Sequence, residues 1–268
     1  MEIVPFDRGH IADFLRHAAH EGWITTRSEI EFLLKSYPGG CLVCLKKGLA
    51  AGFITSIRYK RSAWIGNLLV RPAFRGQGIG RFLMESVLKC LDSAGCETVW
   101  LTASADGERL YLMLGFRQID VVQRWKGAGG QFLSPGRIEY CENIRTIDSA
   151  GWGDERPHIL DALAGGYSFF KAGNGFIVSS LTAGMQHIGP WGAACESAAA
   201  EMFDKIRSDS YKPSEAVLDV PAKNLSAGEM LLSRGFTISG STLLMYRGKT
   251  PDYNPQYIYS FASMGSYG

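Results

Sequence analysis

Val70-Arg71-Pro72-Ala73-Phe74-Arg75-Gly76-Gln77-Gly78-Ile79-Gly80-Arg81 is the stretch on which the reading of this chain turns. The apolar run Ala63-Trp64-Ile65-Gly66-Asn67-Leu68-Leu69-Val70 ahead of it reads as a strand, and Pro72, with no N–H to give a ladder, ends it. Behind it Ile79, Phe82, Leu83, Val87, Leu88 and Leu91 recur at helical spacing up to a stop signal at Gly95. Gly76, Gly78 and Gly80 between them tolerate positive φ and let the backbone approach a ligand closely. The first amides of the new helix have no partner within it and point outward, where the helix dipole favours an anion.

Two familiar phosphate loops are excluded. No Gly-Lys-Ser/Thr follows, so this is not a Walker A loop. The G-x-G-x-x-G spacing of a dinucleotide fold is also absent, and no matching acidic residue closes a following strand.

Further along, Glu97-Thr98-Val99-Trp100-Leu101-Thr102-Ala103 reads as the next strand, and Gly107-Glu108-Arg109-Leu110-Tyr111-Leu112-Met113-Leu114-Gly115-Phe116 as a helix with its stop. On these residues the chain resembles the GCN5-related N-acetyltransferase (GNAT) superfamily. Arg75-Gly76-Gln77-Gly78-Ile79-Gly80 matches that family's Arg/Gln-x-x-Gly-x-Gly/Ala signature, and the second stretch is similar to its helix ending in Tyr-x-x-Leu-Gly-Phe. The resemblance covers roughly residues 1–126.

Around this centre the first half reads helix, helix, strands, helix, strand, helix, strand. Ile11, Phe14, Leu15 and Ala18 share one helical face. Thr26-Arg27-Ser28-Glu29 is a capping box opening a helix with Ile30, Leu33 and Leu34. Strands are expected at about 41–46 and 52–59, with a turn at Gly48-Leu49-Ala50, and another near 120–125. Gly127-Ala128-Gly129-Gly130 reads as a break.

The second half echoes this order. Leu231-Leu232-Ser233-Arg234-Gly235-Phe236 repeats Leu112-Met113-Leu114-Gly115-Phe116 about 120 residues later. Ala216–Pro221 echoes the strand at 99–102, and 167–171 with 176–181 reads as a hairpin around Asn174-Gly175. His187–Ala193 stands where the anion-binding strand and turn belong, but Trp191-Gly192-Ala193-Ala194-Cys195-Glu196 replaces the arginine-glycine series. Glu196 repels a phosphate there, and Met230 stands at the place of Tyr111. The expected fold class is α/β (α+β, mixed sheet): two GNAT-like domains in tandem, each a central, mostly antiparallel mixed sheet flanked by helices. The division is a catalytic, acetyl-CoA-binding domain at 1–128 and a degenerate domain at 129–268 that forms the acceptor pocket; a single domain with an unrelated extension is the alternative.

Composition agrees with such a fold. Hydrophobic residues at 46% and charged residues at 20% fit a globular protein, and a net charge of +2 with no basic run argues against a nucleic-acid partner. No apolar stretch reaches a membrane span, and Met1–Asp7 lacks a signal-peptide pattern, so a cytoplasmic location without membrane partner is expected. The six cysteines are scattered, and Cys41-Leu42-Val43-Cys44 has no second ligand pair; buried thiols are expected rather than a metal site. His17 and His20 share a helix face and read as solvated surface.

The resemblance implies direct acetyl transfer from acetyl-CoA to the primary amine of a small molecule, with no metal. It implies that Arg75, Gly76, Gln77, Gly78, Ile79, Gly80 and Arg81 hold the pyrophosphate, and that Leu68, Leu69 and Val70 pair with the pantetheine arm. The amide of Leu69 or Val70 faces the thioester carbonyl, and Tyr111 serves the departing thiolate as general acid. Ser104 stands where many members carry a cofactor-contacting asparagine. The general base is not identified: Glu21 is a candidate, Asp154 and Glu155 weaker ones. Trp152, Tyr167, Phe169, Phe170, Trp191 and the segment 253–259 are candidates for lining the pocket, against core packing. An acetyl-CoA sensor or scaffold without turnover is the alternative function, and monomer and homodimer both remain open.

Overall fold

The computed structural model describes residues 1–129, 142–157, 159, 168–172, 174–182, 184–207 and 215–268. Strand β1 (Glu2–Pro5) is followed by helices α1 (Ile11–His20) and α2 (Arg27–Ser36). α1 buries Ile11, Phe14 and Ala18 on the face expected from their spacing. The capping box of α2 forms: the Glu29 N–H donates to Thr26 Oγ1 (3.2 Å), and the Thr26 N–H donates to Glu29 Oε2 (3.4 Å).

A meander follows in β2 (Leu42–Lys46), β3 (Leu49–Arg58) and β4 (Ser62–Val70). The β2–β3 turn is tighter than its sequence suggests. Lys47 and Gly48 both take positive φ and close a two-residue hairpin loop, so that Leu49 already belongs to β3. Then come α3 (Ile79–Ser93), β5 (Thr98–Ala103), α4 (Ala105–Met113) and β6 (Arg117–Gly127). The second half repeats the series as α5 (Glu142–Trp152), β7 (Ser168–Ala172), β8 (Gly175–Thr182), β9 (Met185–Ala193), α6 (Glu196–Arg207), β10 (Glu215–Pro221), α7 (Leu225–Ser233) and β11 (Thr237–Gly248), with β12 (Ile258–Ser260) after it.

The two sheets are one. The strand order is β1-β2-β3-β4-β5-β11-β6-β10-β9-β8-β7, with β12 beside β9. In each half one parallel pair, β4 with β5 and β9 with β10, interrupts the antiparallel pattern. The last strand of each half crosses to the other. β11 pairs with β5 from Leu243↔Ala103 to Gly248↔Thr98, and β6 pairs with β10 from Ala216↔Gly127 to Pro221↔Val122. β6 and β11 then pair with each other at the centre. The exchange leaves neither strand with an open edge at the junction, which removes a surface prone to stray pairing.

Helix α3 covers one face of the first half with Ile79, Leu83, Met84, Val87, Leu88 and Leu91. The opposite face carries an aromatic core drawn from both halves. Trp152 of α5 meets Trp64 (6.0 Å between centroids), Trp100 (5.7 Å) and Phe261 (4.9 Å) edge-on. The guanidinium of Arg156 lies 4.3 Å from the Trp152 ring and is held by Asp148 through bonds of 2.6 and 3.0 Å, a buried pair with its charge compensated.

Candidate active site

β4 and β5 pair only from Ser62↔Thr98 to Trp64↔Trp100 and then diverge. Past that point β4 bulges against β3, where Gly66 faces Thr55 but Leu69 faces Phe53. Asn67 sits in the bulge at φ 53°, a left-handed conformation that asparagine adopts more readily than most residues. Its amide nitrogen donates to Thr55 Oγ1 (2.9 Å) and Ser266 Oγ (3.1 Å), and its N–H donates to the Gly265 carbonyl (3.2 Å). Thr102 Oγ1 on β5 donates to the Met264 carbonyl (2.6 Å). The C-terminal segment therefore bridges the two diverging strands.

Below the bulge, Pro72–Phe74 forms one 3-10 turn and Gly78 opens α3 at φ +77°. A Cβ on Gly76 or Gly78 would meet nothing within 4 Å, so the main chain of this turn faces open space. The two arginines are not free cations. Arg75 is ion-paired with Glu21 and donates from Nε to the Val70 carbonyl (3.0 Å). Arg81 pairs with Glu85 (2.7 Å). Gln77 accepts from Lys46 and donates to the Ala73 carbonyl (3.3 Å). Main-chain amides are thus the principal anion donors on offer at this turn.

A chamber of about 470 Å³ adjoins the bulge. Leu68, Ser104 and Tyr111 line it from the first half, as do residues 23–26 and Glu29; Arg124, His187 and Asp219 line it from the exchanged strand and the second half, and residues 262–267 close it. Tyr111 is buried on α4 with its ring edge-on to Phe116 (6.0 Å), and burial pushes its hydroxyl up to about 12. Ser104 stands at the N-cap of α4 without making a side-chain capping bond.

Two carboxylates line the chamber. Asp219 is fully buried and takes two bonds from Arg124, both 2.8 Å, with His187 Nε2 3.9 Å away. Burial pushes Asp219 up, but the hydrogen bonds from Arg124 and His187 outweigh it and hold the carboxyl below its usual range. Glu29 accepts from Ser263 Oγ at 3.3 Å. Burial dominates here and raises its pKa, against the opposing pull of Ser266, Thr26 and Ser263 and of the charge of His187.

Several residues singled out in the sequence lie elsewhere. Glu21 is committed to Arg75. Asp154 binds the N–H and hydroxyl of Ser62 (2.8 and 2.7 Å), and Glu155 pairs with Lys60. Trp152 and Trp191 are core residues, the latter stacked 5.1 Å from Phe203. Tyr253, Tyr257 and Tyr259 pack rather than line the chamber; the lining segment starts at Ala262. Tyr167 and the side chains of Phe169 and Phe170 fall outside the described residues. Cys41 and Cys44 are buried free thiols, the former pushed up to about 11 by burial. Among the described residues no group of three or more His, Cys, Asp or Glu could hold a metal, and no helix is long and apolar enough to cross a membrane.

Comparison with known proteins gives consistent results. The Acetyltransferase (GNAT) family matches residues 9–116, and an Acetyltransferase (GNAT) domain matches residues 144–260. An uncharacterised N-acetyltransferase of Methanocaldococcus jannaschii is 30% identical over 105 residues, 35% of this chain and 46% of the relative, so the match spans about half of that protein. A crystal structure of a candidate acetyltransferase from Pyrococcus horikoshii superposes on 100% of this chain and 95% of its own with a TM-score of 0.82 at 22% identity. Another candidate acetyltransferase, from Thermoplasma acidophilum, covers 93% of this chain and 100% of its own with a TM-score of 0.61 at 15% identity. At these identities the two structures establish a shared fold.

Proposed function

This chain belongs to the GCN5-related N-acetyltransferase (GNAT) family as two such domains in tandem, and on that premise we propose that it transfers an acetyl group from acetyl-CoA directly to the primary amine of a small molecule. The observation that carries the proposal is that the β4 bulge and Tyr111 border one chamber, which the second half closes. In this reading residues 1–128 bind acetyl-CoA and residues 129–268 complete the acceptor pocket.

Acetyl-CoA supplies an activated thioester. The amides of residues 76–80 at the start of α3 hold its diphosphate, and their orientation toward open space supports the fit. Main-chain groups of residues 68–70, beyond the point where β5 departs, offer strand-like pairing to the pantetheine arm. The amide of Leu69 or Val70 donates to the carbonyl oxygen, and gains strength as that oxygen becomes negative. Ser104 offers one further hydrogen bond. Tyr111 keeps its proton at every working pH, because burial raises its pKa to about 12. Full transfer to a thiolate of ordinary pKa, roughly 8.5, is uphill, so Tyr111 acts by hydrogen-bonding the leaving sulfur.

Calorimetric titration with acetyl-CoA, followed by a thiol-release assay over a panel of primary amines, tests the proposal. Binding together with acetylated product is expected. Absence of binding overturns it, and tight binding with every amine silent favours a sensor or scaffold.

A further inference from the structure

The chamber holds two carboxylates in different electrical states. Asp219 is neutralised by the bidentate guanidinium of Arg124. Glu29 has among the described residues only a main-chain N–H and serine hydroxyls as hydrogen-bond partners. It also stands close to the reacting end of β4. Ser263 Oγ donates to Glu29 Oε1 (3.3 Å) and accepts from the Ser266 N–H (3.2 Å), while Ser266 Oγ accepts from Asn67 Nδ2 (3.1 Å). Two serines of the C-terminal segment thus link the Glu29 carboxylate to the bulge.

Resting on the acetyl-transfer reading above, we propose that Glu29 is the general base, that it receives the acceptor's ammonium in this chamber, and that the acceptors are small aliphatic primary amines without an anionic group. With Arg124 and Asp219 compensating each other, Glu29 in its ionised form gives the chamber a negative charge, which attracts a cation and repels a carboxylate. Burial raises its pKa, which makes the carboxylate a stronger base than an exposed one. Glu21 cannot take this part while it is paired with Arg75.

The step balances as follows. The ammonium R–NH₃⁺ gives one proton to the Glu29 carboxylate, and the freed lone pair forms the C–N bond at the thioester carbonyl carbon. The C–S bond breaks and its electron pair leaves on sulfur, hydrogen-bonded by Tyr111. The nitrogen then sheds a second proton, which neutralises the thiolate. Glu29 returns its proton to solvent, so the products are one amide, one thiol and one proton.

Glu29→Gln is the decisive variant, because glutamine keeps both the size of the side chain and the capping box of α2. The assay compares ethanolamine and putrescine, which are ammonium ions at neutral pH, with hydroxylamine, which is already unprotonated there. We expect kcat/KM for the two alkylamines to fall about 100-fold or more, the usual range for loss of a general base, with hydroxylamine acetylation retained within a few-fold. The other titratable and charged groups lining the chamber are His187 on β9, whose charge acts on Glu29, the Arg124–Asp219 pair on β6 and β10, and Tyr111 on α4. The acid limb of the alkylamine pH profile should vanish in Glu29→Gln and survive in His187→Gln. Alkylamine activity within threefold of wild type, or an equal loss toward hydroxylamine, overturns Glu29 as base while acetyl transfer stands. A better rate with glycine or glutamate than with ethanolamine overturns the acceptor class. Wild-type protein that acetylates none of these amines overturns this inference and the acetyl-transfer reading together.

Discussion

Gly78 carries the chain into α3 at φ +77°, where an L-residue costs about 1–2 kcal/mol. Open space around its Cβ position makes this a backbone requirement rather than a packing one. Gly78→Glu adds that strain and sets a carboxylate among the amides meant for an anion, so acetyl-CoA affinity should drop at least about 100-fold by calorimetry. Unchanged affinity removes this turn from the site. Tyr111→Phe keeps the ring against Phe116 and deletes only the hydroxyl; kcat should fall about tenfold or more with acetyl-CoA affinity nearly constant. Parallel losses in both point to packing instead. Glu29 predicts a stability effect with a definite sign. Its pKa is raised on folding, so the native state holds this proton more tightly than the unfolded chain, and stability is lost as pH rises from the ordinary carboxylate range through the folded value. Glu29→Gln removes that loss. Its melting temperature should exceed that of wild type at pH 8, with a gain that shrinks on acidification below the normal glutamate pKa; a constant difference across pH contradicts the assignment. Gly78 and Tyr111 were legible in the sequence because their signatures are local. Glu29 was visible only as a cap, since its partner Ser263 lies 234 residues away.

At the scale of elements, the sequence shows where strands and helices start but not which strand meets which. The helix signals at Thr26, Gly78 and Gly115 depend on near neighbours, and those elements form as read. The exchange of β6 and β11 leaves no local trace. The two strands are of similar length, follow equivalent helices and present interchangeable main-chain partners to β5 and β10. The bulge in β4 is similarly hidden: Ala63–Val70 reads as a plain strand, and the left-handed turn at Asn67 is fixed by Thr55 and by the C-terminal segment. Asn67→Ala removes both side-chain bonds and leaves a residue poorly suited to φ 53°. A cost of about 2 kcal/mol in urea unfolding is expected. Because Ser266 loses its side-chain anchor while only the main-chain bond to Gly265 remains, KM for the amine should rise more than the dissociation constant for acetyl-CoA. A change confined to acetyl-CoA binding shows instead that the bulge does not position the closing segment.

For the molecule as a whole, the crossing of strands makes the two halves one folding unit even though each carries its own family match. Without the second half β5 lacks β11, and β6 lacks both β10 and β11, leaving long unpaired edges and the ring system around Trp64 and Trp100 without Trp152 and Phe261. Removing the Trp152 side chain alone should cost about 3–5 kcal/mol. Residues of both halves share that core, so the loss should lower a single calorimetric transition rather than one of two. Residues 1–128 expressed alone should aggregate or stay unfolded, and co-expression with residues 129–268 should restore a soluble, acetyl-CoA-binding complex. If the fragment 1–128 by itself binds acetyl-CoA with the affinity of the full chain, its terminal strand can close on β5 without a partner. The second half would then be an added wall around the chamber and not a structural condition for the first.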